Sequence, residues 1–213
     1  MKNIPVLFEN ESCLVLDKPS GLAVQGGEGV GISLDSILSE SYSPRPLLVH
    51  RIDKDTSGLI LVAKNRDAAA FFSSLWNENG KNRIKKQYLA VVFGVPVPEK
   101  GIIRLDLDIK GQFKKSETAY QLVSSSDKTY SLLELELGTG RMHQIRRHLM
   151  LIKNPVLGDD KYGDFSMNKK LKKTMGLKKL LLHASRLFMP PCKLFPQGLD
   201  ISSDLPDYFN PFL

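Results

Sequence analysis

The chain has 213 residues, enough to bury one large hydrophobic core or two smaller ones. Apolar residues make up 42% and charged residues 25% of it, a balance that excludes disorder over most of the length. Thirty Lys and Arg against 23 Asp and Glu give a net charge of +7, which favours polyanionic partners such as nucleic acid.

Short apolar runs bounded by turn residues predict the first strands. One run covers residues 12–17 and stops at a KPSG turn (18–21), and a second covers residues 59–64. The segment 25–31 has four glycines but neither GxGxxG spacing nor a following GK[ST], so it is predicted to be a flexible loop. One or two helical turns are expected at 34–38.

Apolar residues at three- and four-residue spacing predict a helix over 66–79 that buries its aromatic side chains in the core. Four strands are predicted to follow, at 86–94, 102–109, 116–123 and 129–137. A second helix is predicted over 142–152, with Met142 on its apolar face, and a final strand over 180–189. Strands interspersed irregularly with helices predict an α+β fold with a mixed, largely antiparallel sheet.

We expect a single domain over residues 1–213, because only the Pro/Gly stretch at 94–101 suggests an internal boundary. The N-terminus lacks the basic flank and apolar run of a signal peptide, and no run of about 18 apolar residues is present to span a membrane. Cys13 and Cys192 lack CxxC spacing and are predicted to be buried thiols. A cytoplasmic protein fits these features best.

The first chemically rich segment is 50–58, HRIDKDTSG, at the start of a predicted strand. A rigid strand holds such side chains while the adjoining loop exposes them. Asp53, Asp55 and Ser57 match the first positions of an EF-hand calcium loop, but Lys64 stands where a bidentate Glu is required. Calcium binding is therefore excluded, which leaves a capped turn or a functional site.

The second segment is 140–148, GRMHQIRRH. At about 100° per residue, Arg146 lies at the edge of the apolar helix face, whereas Gln144 and Arg147 point away from it. A partly buried guanidinium needs an anionic partner, and a carboxylate can accept from both of its arms. The two histidines of this segment diverge on the helix, so no zinc site is predicted.

These segments resemble the motifs of the RluA-type RNA pseudouridine synthases. Residues 50–58 are similar to the HRLDxxTSG signature of that family, and residues 140–148 to its GRxHQ[IL]RxH motif. Three more segments resemble its NKPSGL-like turn, its KxYxAxxxG strand and its LLHA segment, at 17–22, 86–94 and 181–184. The departures, at Asp17, Ile52 and Ile145, remove no reacting group.

The resemblance implies a pseudouridine synthase fold with helices around a mixed sheet and a central catalytic cleft. It implies that the protein isomerises specific uridines of rRNA and/or tRNA to pseudouridine. Asp53 matches the catalytic aspartate, Tyr88 the tyrosine that packs against the target base, and Arg146 the arginine that pairs with the aspartate. A salt bridge between Asp53 and Arg146 beside Tyr88 is therefore expected. Arg51 matches the arginine that fills the space left by a flipped nucleotide.

Other polar residues of the motifs are predicted to contact RNA, namely Lys18, His50, Arg141, His143, Gln144 and Arg147. Neither a metal nor a cofactor is expected, because the isomerisation needs no redox step and no group donor. Two basic segments are candidates to hold the RNA backbone, although either can be a solvated surface. One has six lysines within 169–179, and the other comprises Lys81, Arg83, Lys85 and Lys86.

Some family members carry an N-terminal S4-type RNA-binding domain, but only 16 residues precede Asp17, so none is expected here. A monomer is expected from the resemblance. The main alternative function is a non-catalytic RNA-binding protein on the same fold, against which the intact Asp53, Tyr88 and Arg146 argue. A glycoside hydrolase is disfavoured because no obvious second acid is present opposite the first.

Overall fold

The computed structural model describes residues 4–27, 29, 31–77, 84–126 and 129–213. In this part of the chain the α-helices, α1 to α4, are Leu34–Ser41, Arg66–Asn77, Gln144–Leu151 and Phe165–Thr174. The strands β1 to β12 are Val6–Glu9, Cys13–Lys18, Leu47–Leu48, Ser57–Ala63, Lys85–Phe93, Lys100–Arg104, Leu107–Ile109, Gln112–Lys114, Glu117–Ser126, Tyr130–Leu137, Leu182–Met189 and Leu199–Ser202. A 3₁₀ helix covers Asp207–Phe212. Of the helices described, none has the length and apolar character needed to cross a membrane.

The chain divides into two compact units, residues 1–86 with 184–203 and residues 87–183 with 204–213. In the first unit, β1 pairs with β2, both β2 and β3 pair with β4, and β11 pairs with β12, all antiparallel. In the second unit, the antiparallel order is β5-β10-β9-β6, and β7 and β8 form a separate hairpin. The predicted α+β fold with a largely antiparallel sheet is confirmed.

Strand β4 is the centre of the first unit, since all seven of its residues are buried. Its alternate side chains face two cores. Leu59 and Leu61 pack in the core that includes Phe72 of α2, and Ile60 packs in the core that includes Leu34 of α1. Burial on both faces explains why the sequence of this strand is continuously apolar rather than alternating.

Helix α4 in the second unit was not predicted, because its sequence FSMNKKLKKT has too few apolar residues to show helical periodicity. It begins at Asp164, whose carboxylate accepts a hydrogen bond from the Met167 N–H at 2.9 Å. Leu171 is its buried residue and packs in a core with Phe209 and Phe212. The Asp164 cap and the buried Leu171 thus stabilise a helix whose sequence lacks an apolar periodicity.

Two predicted elements differ from those observed, and the end of a third lies outside the described residues. The segment 102–109 is split between β6 and β7 rather than one strand. The helix predicted from residue 142 begins at Gln144, because His143 has a left-handed backbone (φ 53°), and Met142 is consequently exposed. Helix α2 is confirmed to Asn77, whereas its predicted end at 78–79 lies outside the described residues, as do Lys81 and Arg83.

Candidate active site

Asp53 lies half-buried in the loop between β3 and β4, and the neighbouring Arg51 is exposed. The loop enters β4 at Gly58, which has a φ of 103°. A Cβ atom at this position would overlap with the backbone of Ala184 in β11, so only glycine fits. Gly58 therefore fixes where the Asp53 loop joins the sheet.

The KPSG turn holds the backbone that follows Asp53. The carbonyl oxygen of Lys54 accepts hydrogen bonds from the Gly21 N–H at 2.9 Å and from Lys18 Nζ at 3.0 Å. The Ser20 hydroxyl donates to the carbonyl oxygen of Asp55 at 2.8 Å. Three hydrogen bonds thus fix the two carbonyls after Asp53, which restricts where its carboxylate lies.

Lys18 is fully buried in this turn. Its ammonium donates to three carbonyl oxygens, those of Pro19, Leu22 and Lys54. Burial lowers the pKa of Lys18 to about 8, although the nearby carboxylates of Asp55 and Asp53 favour its charged form. This placement does not fit the predicted RNA contact, because the ammonium is enclosed and bonded. Lys18 instead positions the Asp53 loop and lies close enough to Asp53 to interact with its charge.

His50 anchors the start of the same loop. Its Nε2 accepts a hydrogen bond from the Leu61 N–H at 2.9 Å, and its ring packs edge-on against Trp76. Burial, assisted by the charge of Lys86, lowers the pKa of His50 well below its ordinary value. The neutral ring therefore carries its proton on Nδ1, which faces Lys86 Nζ at 3.4 Å. This histidine is bonded to β4, which does not favour the predicted RNA contact.

Gln144 begins α3 and was expected to point outward, but it is only 3% exposed. Its Nε2 donates to the carbonyl oxygen of Glu117 at 2.8 Å and to Thr118 Oγ1 at 3.1 Å. Its Oε1 accepts from the Thr139 hydroxyl and from the Arg141 N–H. Every arm of the amide is bonded within the second unit, so Gln144 holds α3 against β9, and its predicted RNA contact stays a prediction.

His148, near the other end of α3, extends this buried network. Its Nδ1 lies 2.9 Å from Thr118 Oγ1, and its Nε2 lies 3.0 Å from the carbonyl oxygen of Leu105. Burial lowers the pKa of His148. The neutral ring donates from Nε2 to Leu105 and accepts at Nδ1 from the hydroxyl of Thr118, whose oxygen accepts from Gln144.

Arg146 is buried, and its guanidinium makes two hydrogen bonds of 2.7 Å to Asp159. Asp159 also accepts from the N–H groups of Lys161 and Tyr162. Burial opposes ionisation of Asp159, but the Arg146 and backbone hydrogen bonds outweigh it and hold the pKa of Asp159 below its ordinary value. Tyr162 stacks near the guanidinium, with its ring centroid 5.2 Å away.

The requirement of Arg146 for a carboxylate partner is confirmed, but Asp159 already meets it. Burial of Arg146 therefore gives no separate support for its pairing with Asp53. That pairing, beside Tyr88, stays a prediction from the resemblance. Asp159 and Tyr162 were missed because no periodic pattern marks the turn that carries them. The available signal was an aspartate directly after Gly158, close in sequence to a helix with a buried arginine.

The other predicted residues of the second unit differ in exposure. Tyr88 is buried on β5 opposite Leu135 of β10. His143 is half-buried, with its Nδ1 3.0 Å from the Tyr162 hydroxyl. Arg141 is exposed, and half-buried Arg147 donates to the carbonyl oxygen of Asp108 at 3.0 Å. Among the described residues, no group of three or more His, Cys, Asp and Glu side chains is arranged to hold a metal ion.

Comparison with known proteins gives these motifs a family. The model for RNA pseudouridylate synthase matches residues 12–151. The chain is 34% identical over 219 residues to the ribosomal large subunit pseudouridine synthase C of Rickettsia bellii, which covers 96% of this chain and 69% of the relative. The chain belongs to the RNA pseudouridylate synthase family. As a member, it is an isomerase that converts uridine in RNA to pseudouridine, and its RluA-type motifs are confirmed as family motifs.

Two further relatives of this pseudouridylate synthase differ more from it: one is much longer, and the other has a lower sequence identity. RNA pseudouridine synthase 4, mitochondrial, of Arabidopsis thaliana is 35% identical over 192 residues, which cover 74% of this chain and 40% of the relative. The structure of human RNA pseudouridylate synthase domain containing 4 superposes with a TM-score of 0.79 at 26% identity, covering 97% of this chain and 90% of the human one. The predicted pseudouridine synthase fold is confirmed.

Proposed function

We propose that this pseudouridine synthase modifies uridines of large-subunit ribosomal RNA, with Asp53 as its catalytic carboxylate. The name of the Rickettsia bellii relative, which is similar over 96% of this chain, supports the substrate class. The observation that carries the assignment of Asp53 is the construction of its loop. Three hydrogen bonds fix the carbonyls of Lys54 and Asp55, while Asp53 is half-buried and the nearby Arg51 is exposed.

The proposed reaction balances with protein side chains alone. Asp53 acts on the ribose, as nucleophile or as base, while the C1′–N1 bond of uridine breaks. The freed uracil turns and its C5 bonds to C1′. The C5 proton is then lost, and N1, no longer bonded to the sugar, takes up a proton. Neither an oxidant nor a group donor enters these steps.

We assign the other residues of this reaction from the resemblance and from their burial. Tyr88, a buried aromatic residue, is proposed to pack against the uracil. Arg146 is proposed to pair with Asp53 while Asp159 holds its guanidinium in place. Arg51 is exposed, as a residue must be to occupy the space left by a flipped nucleotide. The exposed Arg141 and the half-buried Arg147 and His143 are proposed to contact the RNA.

Pseudouridine mapping of total RNA tests the substrate. A strain deleted for this gene should lack pseudouridine at one or more positions of large-subunit rRNA, and plasmid-borne enzyme should restore them. Loss confined to tRNA would instead assign the enzyme to tRNA, and an unchanged map would remove the proposal. Fractionation of the complemented cells would check the predicted cytoplasmic location. Sedimentation of the purified protein would check the predicted monomeric state, and a single unfolding transition would support the predicted single domain over 1–213.

Tritium release from RNA containing 5-³H-uridine tests the catalytic residue. Asp53→Asn should abolish release while RNA affinity stays within about tenfold, because the substitution removes the charge and preserves the shape. Asp55→Asn is the matched control in the same loop. It should retain turnover, since Asp55 accepts the Ser20 hydrogen bond through its backbone carbonyl, which the substitution leaves in place. Turnover by the Asp53 variant would exclude this aspartate from the mechanism.

A further inference from the structure

A strongly basic face of α4 has no part in the site described above. We call it the α4 basic face and define it as Phe165, Ser166, Lys169, Lys170, Lys172 and Lys173, all of them exposed. The sequence from 165 to 179 contains six lysines and neither Asp nor Glu. Within the described residues, no carboxylate lies at salt-bridge distance from the four helix lysines. The face therefore presents uncompensated positive charge.

The geometry of the helix places an aromatic ring among these lysines. At about 100° per residue, the six residues of the face occupy less than half of the helix circumference, with Leu171 opposite them. Phe165 falls between Lys172 and Lys169 in this projection and is 62% exposed. Lysines three and four residues apart on one helix repel each other, so the arrangement destabilises the free protein slightly. An anionic ligand would relieve this repulsion.

Helix α4 is firmly attached to the turn that carries Asp159. The Asn168 side chain accepts from the Gly158 N–H at 3.0 Å and donates to the Asp159 carbonyl oxygen at 2.9 Å. Leu171, on the side away from the lysines, is buried in the core. A ligand on the α4 basic face is thus held at a fixed position relative to the Arg146–Asp159 pair.

We propose that the α4 basic face binds the sugar-phosphate backbone of the substrate RNA next to an unpaired base, which stacks on Phe165. This inference rests on the proposed function and adds a docking surface to it. Lysine ammonium groups neutralise phosphates as point charges, and a base stacks on an exposed aromatic ring irrespective of its identity. The face therefore adds affinity for a looped region of RNA without reading its sequence.

The composition of the face favours RNA over a membrane surface. A helix that lies on a membrane inserts a broad apolar face, whereas here Phe165 is the large apolar residue on the exposed side and Leu171 is already buried. An RNA ligand matches both the charge and the ring, and the family to which the chain belongs acts on RNA. An acidic protein partner would match the charge alone.

The salt dependence of RNA binding tests the lysines. The probe is a fluorescent RNA hairpin with an unpaired, uridine-containing loop, titrated with full-length Asp53→Asn protein so that the RNA is not modified. Adding Lys169→Gln and Lys173→Gln should weaken binding roughly tenfold at physiological salt and lower the slope of log K against log salt by about 1.5. Lys100→Gln with Lys193→Gln removes the same charge from exposed positions elsewhere and should change neither quantity.

The ring is tested separately with Phe165→Ala. It should weaken binding of the looped hairpin about tenfold and leave binding of a fully paired duplex unchanged, because only an unpaired base can stack on it. Since Phe165 is largely exposed, the melting temperature should not fall, which circular dichroism would check. An equal loss for both RNAs would remove the stacking role.

With the active enzyme and large-subunit rRNA, Lys169→Gln with Lys173→Gln should raise KM and leave kcat within about twofold. Equal affinity, slope and KM in this variant and its charge-matched control would overturn the proposal. The proposed function fails separately, if wild-type enzyme forms no pseudouridine in rRNA. The hairpin titrations still decide the role of the α4 basic face in that case, because they do not require turnover.

Discussion

The hydrogen bonds at Lys54 and Asp55, next to Asp53, hold backbone carbonyls, whereas those in helix α3 hold the motif side chains themselves. The carbonyls of Lys54 and Asp55 are held in the loop, where Arg51 is exposed and Asp53 is half-buried. In α3, Gln144, Arg146 and His148 are buried and bonded to neighbouring groups of the same unit.

The difference separates two kinds of motif residue. A side chain that contacts RNA must be accessible from solvent, and the backbone next to it can be held in place instead. A buried polar side chain must have its hydrogen bonds satisfied inside the protein, and these bonds stabilise the fold whether or not the side chain has a further role. Membership of a family motif therefore does not by itself assign a residue to RNA contact, as Lys18 and Gln144 illustrate. Changes to each region should separate these two roles.

The largest effect on stability is expected in the α3 region from Asp159→Asn. This change leaves the buried Arg146 guanidinium without its bidentate carboxylate and should lower the free energy of unfolding by about 3–5 kcal/mol. Urea denaturation would measure it. Asp160→Asn is the control, because the Asp160 side chain is 86% exposed and 3.6 Å from Arg146, and it should change stability by less than about 0.5 kcal/mol. Equal effects would contradict the role given to Asp159.

In the Asp53 loop, Gly58→Ala should have the next largest effect. The added Cβ atom meets the backbone of Ala184, which cannot move without disturbing β11, so we expect a loss of about 3 kcal/mol and of activity. Gly21→Ala measures separately the cost of placing a Cβ atom on a residue with positive φ, without any steric overlap. Gly21 also has a positive φ, 87°, but open space around its Cβ position, and should lose about 1 kcal/mol. Thermal and urea unfolding of both variants would show whether steric overlap makes the difference.

A smaller, pH-dependent effect is expected from Lys86→Met at the His50 anchor. Burial lowers the pKa of Lys86 from 10.5 to about 8, so the folded protein loses this proton at lower pH than the unfolded chain. Wild-type stability should therefore rise between about pH 8 and 10.5 by about 1–3 kcal/mol more than that of the variant. Lys18 contributes the same trend to both proteins and cancels in the difference. Lys100→Met, at an exposed position, should show no such difference across this pH range.

The smallest change in stability is expected from Arg51→Gln, which alters the exposed side of the loop. Its free energy of unfolding should stay within about 0.5 kcal/mol of the wild type. Its kcat/KM on RNA should nevertheless fall at least about tenfold, because the space left by the flipped nucleotide is no longer filled. Full activity would show that Arg51 does not contact the RNA. A large loss of stability would show that Arg51 contributes to the fold, as the buried side chains of α3 do.

Much of the fold followed from the sequence alone. Continuous apolar runs predicted β2, β4 and β11, and three- and four-residue spacing predicted α2, because these patterns record which faces are buried. Helix α4 was not found, since a cap and one buried leucine are too local to produce a period. The outward direction predicted for Gln144 was wrong, because β9 covers that side of α3 and its backbone supplies the partners of the amide.

The sequence by itself determined the family, the candidate catalytic aspartate and the need of Arg146 for a carboxylate. Its ordered motifs and the physics of a buried guanidinium were sufficient for these. Only the tertiary structure showed that Asp159 supplies a carboxylate to Arg146. It also showed that Lys18 and His50 hold the Asp53 loop in place through their own hydrogen bonds. Hydrogen-bond partners depend on distances of about 3 Å between segments remote in sequence, and residue type and spacing do not encode such distances.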